Sequence, residues 1–267
     1  MSRTGKPRAL LVIVAIIPAR FGSTRLPGKP LSDIHGKPLI QWVHERVRAA
    51  RSLERILVAT DDERIAAVVR GFGGEAVMTS QRHPSGTDRL AEAVKGTDAS
   101  LVVNVQGDEP LVDPAGIDAA VRALEEEADL PLATISLPLG GVHEMLSPSV
   151  VKVVTDASGY ALYFSRSPLP HLRGIADPRR AAAAVERGLA RKHVGLYAYR
   201  RDALERFASL PPSPLEEAEG LEQLRALHYG MKLRVVPTSG AGGPAVDTPE
   251  DLERVRELLA PERGRKD

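Results

Sequence analysis

The sequence predicts an α/β fold: a mostly parallel sheet with helices on both faces and a smaller antiparallel excursion at 150–200. Three observations carry this reading. Short apolar runs alternate with helical patterns through the first half of the chain, the rhythm of a parallel sheet covered by helices. The first run, ALLVIVAII at 9–17, is continuous rather than alternating, as in a strand buried on both faces. The second half breaks the rhythm: in VVKVVTDASGYALYFSR (150–166) two strand-like runs flank the turn DASG, an antiparallel hairpin.

The elements follow in order. PLIQWVHERVRAARS (38–52) sets Leu39, Ile40, Val43 and Val47 on one face of a helix. RILVAT (55–60) is a second strand. DDERIAAVVRGFGG (61–74) is a helix with acidic residues in its first turn, where the dipole favours them, and glycines at its end. A short strand, the polar loop TSQRHPSGTDR (79–89) and another helix come next. SLVVNVQGDEP (100–110) is a strand running into a Gly-Asp turn, and PAGIDAAVRALEEEA (114–128) is a helix with proline first. Beyond the hairpin, RRAAAAVERG (179–188) reads as a short helix or an ordered insertion, and RKHVGLYAYR (191–200) alternates like a strand. SPLEEAEGLEQLRALHYG (213–230) reads as one strong helix: Ser213 and Glu216 form a capping box, Pro214 is first and Gly230 ends it. KLRVVPT (232–238) is a strand, and DTPEDLERVRELL (247–259) is a final helix capped by Thr248 with Pro249 first. One domain is expected over 9–260, with 1–8 a disordered extension and 261–267 a tail.

Composition narrows the function. Of 267 residues 43% are hydrophobic, enough for a full core. Lys plus Arg (36) nearly cancels Asp plus Glu (35), so no long-range field gathers nucleic acid or acidic membranes. Basic residues clustered at one spot then need a local target. There is no cysteine, which excludes disulfides, thiolate metal sites and cysteine nucleophiles and fits a reducing compartment. Arg3, Lys6 and Arg8 before the apolar run imitate a signal peptide, but nine apolar residues are too few for a bilayer, which takes about 20.

In open parallel sheets ligands bind beyond the carboxyl ends of the strands, so the segments 18–30, 79–89, 104–110 and 245–248 count most. PARFGSTRLPGKP (18–30) carries Arg20, Arg25 and Lys29 on a short, stiff loop. It fails the Walker pattern: Gly22 and Gly28 are separated by five residues instead of four, and Pro30 stands where a magnesium-binding hydroxyl would be. Guanidinium forks still match phosphate oxygens, so the loop reads as a phosphate grip rather than a solvated basic loop. Asp108 follows a glycine at a strand end, and Asp247 lies just outside the cap Thr248. Each alone is an ordinary turn or helix-start residue; together with the basic loop they supply the parts for metal-assisted chemistry on a nucleoside triphosphate. Ser85, Thr87 and the backbone around Gly86 suit a base edge, and equally an ordinary helix cap.

These residues add up to a family. IPARFGSTRLPGKPL, HPSGTDRLAE, VNVQGDEP, VKVV with GYALYFSR, KHVGLYAYR, SPLEEAEGLEQLRALHYG and VDTPEDLERVR closely resemble the 3-deoxy-manno-octulosonate (Kdo) cytidylyltransferases, over residues 12 to about 258. The first motif is shared more loosely with other sugar nucleotidyltransferases. The resemblance implies a Rossmann-like nucleotidyltransferase sheet in a cytoplasmic, homodimeric enzyme using CTP, an acidic sugar and Mg²⁺, with no nucleic-acid or membrane partner. It implies that Ala19, Arg20, Lys29, Ser85 and Gln106 meet the nucleotide, with Arg20, Lys29 and Asp108 catalytic. Asp108 and Asp247 would hold the metal. Arg25, Gln106, Arg166, His193, Tyr197, Glu216, Glu219 and Gln223 would surround the sugar. An arginine suits its carboxylate, while Glu and Gln suit its hydroxyls. Glu216, Glu219 and Gln223 are expected on one face of one helix, a spacing that a solvated face would share. His193 on its own would more often be structural.

Two stretches depart from the family. Residues 167–190 are alanine-rich where the family carries an aromatic-containing acidic stretch, and 239–244 (SGAGGP) are glycine-rich. The first bears on which acid is used. An 8-amino Kdo, a sialic-acid-like sugar or another acid stays open beside Kdo, as do a P-loop-type kinase or NTPase and a non-catalytic binder.

Overall fold

The computed structural model describes residues 11–22, 25–83, 85–175, 179–240 and 242–260. The expected extension 1–8 and tail 261–267 lie outside them. In chain order the elements are β1 (Ile13–Ala19), β2 (Asp33–Ile34), β3 (Lys37–Pro38), α1 (Leu39–Arg48), β4 (Arg55–Thr60), α2 (Glu63–Gly71), β5 (Glu75–Met78), α3 (Gly86–Val94), β6 (Leu101–Asn104) and α4 (Pro114–Glu126). Then come β7 (Leu132–Leu137), α5 (Val142–Leu146), β8 (Lys152–Thr155), β9 (Ala161–Ser165), α6 (Arg179–Glu186), β10 (Arg191–Arg200), α7 (Arg201–Ser209), α8 (Pro214–Glu219), α9 (Gln223–His228), β11 (Leu233–Pro237) and α10 (Pro249–Leu258).

The main path of the sheet runs β11-β7-β10-β6-β1-β4-β5. β1 pairs in parallel with β4 and β6, β4 with β5, and β11 with β7. β10 is the exception, antiparallel to both β6 and β7. The first two residues of β10 also pair with β8, which forms the predicted hairpin with β9. The expected mostly parallel sheet with an antiparallel excursion is therefore present.

The continuous apolar run has its cause in the layers. Ile13, Ala15, Ile17 and Ala19 of β1 face α1, α2 and α4 through Ile40, Val43, Ile65, Val69, Ile117 and Val121. Val14 and Ile16 face the other way, toward Leu90 of α3, Leu204 and Phe207 of α7 and Leu224 of α9. With both faces covered, no position of the strand can be polar, and each large aliphatic side chain so buried contributes about 1.5–3 kcal/mol. Leu39, Ile40, Val43 and Val47 are all buried, as their helical spacing predicts. The alanine-rich segment is a helix, α6, which packs Ala181 and Ala184 against Met145 of α5 in a small satellite core.

One expectation is corrected. Residues 213–230 form two helices, not one. Gly220 takes a left-handed conformation (φ 61°) that ends α8, and α9 starts afresh at Gln223. A residue with positive φ cannot continue a right-handed helix, and glycine adopts it without the Cβ penalty. Glu216 and Glu219 thus share one helix, while Gln223 belongs to the next. Among the described residues no helix is long and apolar enough to cross a membrane.

Candidate active site

β1 and β6 are parallel neighbours, so their carboxyl ends open on the same edge of the sheet. The turn after β6 passes hard against the end of β1: a Cβ on Gly107 would stand 2.6 Å from the Pro18 carbonyl oxygen. Only glycine lets the two backbones approach so closely. That approach carries Asp108 to the loop after β1, where Lys29 Nζ donates to Asp108 Oδ2 at 2.7 Å. The chain before α10 is tied to the same turn, because the Val246 N–H donates to the Asp108 carbonyl at 2.8 Å. Asp247 follows directly, and Lys29 Nζ reaches its Oδ1 at 3.1 Å. Arg25 Nη2 lies 3.2 Å from the same oxygen. One ammonium therefore bridges two carboxylates from segments 139 residues apart in the chain. Arg20 stands exposed one residue beyond β1. The glycine-rich stretch before Asp247 has a steric cause too: a Cβ on Gly243 would sit 2.3 Å from Leu111, so a side chain there would push the segment off the turn.

The loop expected to face a base lies beside this cluster. Ser85 caps α3: its Oγ accepts the Asp88 N–H and donates to Asp88 Oδ2 at 2.7 Å. A Cβ on Gly86 would sit 3.6 Å from the Pro18 side chain, in ordinary contact. Buried Arg89 ties α3 to the preceding loop and to the residue after β4 through Thr79 Oγ1 and Asp61 Oδ2. Ala19 is buried at the end of β1, and Gln106 sits between β6 and the Gly107 turn, its Cγ 3.8 Å from where a Cβ of Gly195 in β10 would be.

Six of the eight expected sugar residues lie on or beside β9, β10, α8 and α9, while Arg25 and Gln106 sit with the β1 and β6 ends. Arg166, just past β9, donates from Nε to the Glu219 carbonyl (2.8 Å) and from Nη1 to the Pro148 carbonyl (3.0 Å). Glu219 accepts from Ser165 Oγ (2.6 Å) and from the Arg166 N–H (2.9 Å), which clamps α8 to the hairpin. His193 and Tyr197 lie four residues apart on β10 with their rings 5.5 Å apart, and Phe164 meets the His193 ring edge-on at 4.9 Å. Burial pushes the His193 pKa down to about 3, so the ring is neutral and can offer a hydrogen bond but no charge. Gln223 is buried at the start of α9. Glu216 is engaged elsewhere: it completes the capping box with Ser213 and forms a bidentate pair with Arg225 (Nε to Oε2, 2.9 Å), linking α8 to α9. Its role here is to brace the two helices.

The cytidylyltransferase family model matches residues 14–233. A 3-deoxy-manno-octulosonate cytidylyltransferase from Geobacter sulfurreducens is 56% identical over 92% of this chain and 99% of its own. One from Aliivibrio fischeri is 48% identical over 92% and 98%. A solved structure titled CMP:2-keto-3-deoxy-manno-octonic acid synthetase complexed with CTP superposes with a TM-score of 0.86 at 45% identity, covering 93% of this chain and 98% of that one. The chain belongs to the 3-deoxy-manno-octulosonate cytidylyltransferases. It is therefore a nucleotidyltransferase, and the alternatives of a P-loop kinase and a passive binder fall away.

Within this family frame three residues stand out that the motifs did not single out for a role. Glu109, beside Asp108, has its carboxyl pushed up to about 8 by burial and then by the Asp108 charge. Glu222 accepts from Thr87 Oγ1 at 2.6 Å and so joins the start of α3 to α9; its second oxygen, Oε1, is buried without a hydrogen bond, 3.7 Å from Arg225 Nη2. Asn104 Oδ1, at the end of β6 beside Tyr197, is likewise buried without a hydrogen bond. All three lie inside the motifs VNVQGDEP and SPLEEAEGLEQLRALHYG, but nothing in residue type or spacing set them apart from their neighbours. The expected Mg²⁺ passes a test of fit. Asp108 and Asp247 offer hard oxygen donors that already converge on one cation, the Lys29 ammonium. Mg²⁺ takes one or two carboxylates and completes its shell with water and substrate phosphates. Among the described residues no group of three or more His, Cys, Asp or Glu could hold a metal, so a metal held by these two carboxylates would take its other ligands from substrate and solvent.

Proposed function

We propose that this chain joins CMP from CTP to the anomeric hydroxyl of 3-deoxy-D-manno-octulosonate and releases pyrophosphate. The convergence of Lys29, Asp108 and Asp247 at the carboxyl edge of β1 and β6 carries the reading. The relatives that share this sequence over almost its whole length are named for the same reaction.

The anomeric hydroxyl gives up its proton to solvent as its oxygen attacks the α-phosphorus of CTP, and the bond to the α–β bridging oxygen breaks with pyrophosphate as leaving group. Arg20 and Lys29 place positive charge against the triphosphate oxygens, where charge grows on the leaving group. To do so the Lys29 ammonium turns from its two carboxylates toward the phosphates. Asp108 and Asp247 would hold Mg²⁺, which when bound neutralises phosphate charge and lowers the pKa of the attacking hydroxyl. Ala19, the Ser85 loop and Gln106 border the nucleotide. Arg25 and Arg166 supply charge for the sugar carboxylate, and Gln106, Glu219, Gln223, Tyr197 and neutral His193 supply hydrogen bonds for its hydroxyls. Glu216 supports that wall through Arg225. We place the enzyme in the cytoplasm as a homodimer that supplies lipopolysaccharide biosynthesis. The test is pyrophosphate release with CTP, Mg²⁺ and a panel of 2-keto acid sugars. Turnover that is fastest with 3-deoxy-manno-octulosonate supports the reading, a preference for the 8-amino or sialic-type sugar corrects the substrate, and no turnover with any of them refutes it.

A further inference from the structure

Lys152 of β8 is completely buried. Its ammonium donates to three backbone carbonyls, those of Ser147 (2.9 Å), Val150 (2.6 Å) and Arg166. Among the described residues no carboxylate forms an ion pair with it. A buried ammonium is costly unless every donor is met, and three carbonyls meet its three donors. A leucine or methionine would fill the same space without desolvating a charge, so the lysine points to a task.

The three carbonyls show what the task is. Two belong to the segment between α5 and β8, and the third to Arg166. The Arg166 guanidinium holds the same segment through the Pro148 carbonyl and reaches across to the Glu219 and Gly220 carbonyls at the break between α8 and α9. Glu219 returns the contact by accepting the Arg166 N–H and the Ser165 hydroxyl. Lys152 thus anchors one end of a chain of contacts that runs through Arg166 to the turn carrying Glu219 and, four residues on, to Gln223.

We propose that Lys152 is a positioning residue for the acidic sugar: by fixing the Arg166 backbone and the 147–150 segment, it sets where the Arg166 guanidinium and the Glu219 carboxylate stand. The proposal rests on the reading of Arg166 and Glu219 as the sugar side of the site. It concerns the sugar and leaves the nucleotide untouched, because Lys152 contacts nothing in the Lys29–Asp108–Asp247 cluster.

The experiment uses the full chain carrying Lys152→Met, which keeps length and apolar bulk. CTP affinity is measured by calorimetry, and KM and kcat are measured for the acid sugar that the wild type turns over best. The sugar KM is expected to rise about tenfold or more while the CTP Kd stays within about twofold. Arg166→Ala should raise the sugar KM as well, and the double variant should be little worse than Arg166→Ala alone, since the two act through one chain. Lys152→Gln, which keeps an amide donor, is measured the same way and decides the matter if the methionine variant fails to bind CTP. An unchanged sugar KM, equal losses of CTP and sugar affinity, or full additivity with Arg166→Ala overturns the proposal. Wild-type protein that turns over no acid sugar would refute the functional reading instead, so the two failures are told apart.

Discussion

Gly107→Ala is the sharpest perturbation of the site that touches no charged group. The new Cβ would stand 2.6 Å from the Pro18 carbonyl oxygen, and that oxygen belongs to backbone near the end of a strand buried at every position but Pro18. Carbon and carbonyl oxygen approach no closer than about 3.3 Å in favourable contacts, so one backbone must yield by roughly 0.7 Å. Overpacking of this size costs about 1–3 kcal/mol. At about 2–4 °C per kcal/mol for a chain near this size, the melting temperature should fall by roughly 2–12 °C. The functional loss should be larger than the stability loss implies. The turn that yields carries Asp108, whose carboxylate is set 2.7 Å from Lys29 and shares it with Asp247. Misplacing a reacting group by about 1 Å costs on the order of 10²-fold in rate. Pyrophosphate release and a thermal melt on the same preparation read both effects. Gly96→Ala is the control: nothing lies within 4 Å of its Cβ, and it should be silent in both assays. A Gly107→Ala enzyme with kcat/KM within about twofold of wild type would refute the argument that close backbone approach sets Asp108.

Asp108→Asn and Asp247→Asn should each lower turnover by about 10³-fold or more, with melting temperatures within a few degrees of wild type, because the lost ion pairs with Lys29 are partly exposed and worth about 1 kcal/mol or less; an Asn variant that keeps its rate would remove that residue from the metal site. Glu216→Gln should destabilise by about 3 kcal/mol, since Arg225 and Glu216 are only 7% and 13% exposed and the substitution removes the bidentate charged partner of a buried guanidinium, leaving it Glu222 at 3.7 Å; chemical denaturation checks this, and a loss below about 0.5 kcal/mol would contradict the bracing role. His193 makes stability depend on pH. Its pKa is about 3 folded against 6.5 for the free side chain, so below 6.5 the unfolded chain takes up a proton that the folded one refuses. Stability should therefore fall as pH drops from 6.5 toward 3, by up to about 1.4 kcal/mol per pH unit, and His193→Gln should flatten that slope. An unchanged slope would mean that the imidazole is protonated in the folded protein.

Much of this was readable from residue order alone, and the reasons are physical. A strand covered on both faces must be apolar throughout, which is why 9–17 announced β1 and made the loop behind it the place to look. Helix caps are local chemistry, so Thr248 with Pro249 and Ser213 with Pro214 marked their helix starts correctly. The break at Gly220 was hidden because glycine within a helical pattern is often tolerated, and its left-handed φ has no local signature. The orientation of β10 was equally hidden: alternation marks a strand but carries no direction. The carboxylate cluster was legible as a list of parts but not as geometry. Only the fold shows Lys29 lying between Asp108 and Asp247, with Gly107 and Gly243 making the approach possible. Glu216 shows the reverse case. Its spacing alone fitted a solvated face and only the resemblance pointed it to the sugar, while in the fold the turn at Gly220 brings Arg225 onto it.

The central claim is that this carboxyl-edge cluster transfers CMP to an acidic sugar, and phosphorus NMR tests it most directly. The protein is mixed with CTP, 3-deoxy-D-manno-octulosonate and Mg²⁺, and the spectrum is followed in time for wild type and Asp108→Asn. The wild type should convert the CTP resonances into one phosphodiester of CMP and the sugar plus one pyrophosphate, in equal amounts, while Asp108→Asn leaves CTP intact. CTP that persists with the wild type, or that yields CDP and phosphate instead, would contradict the account.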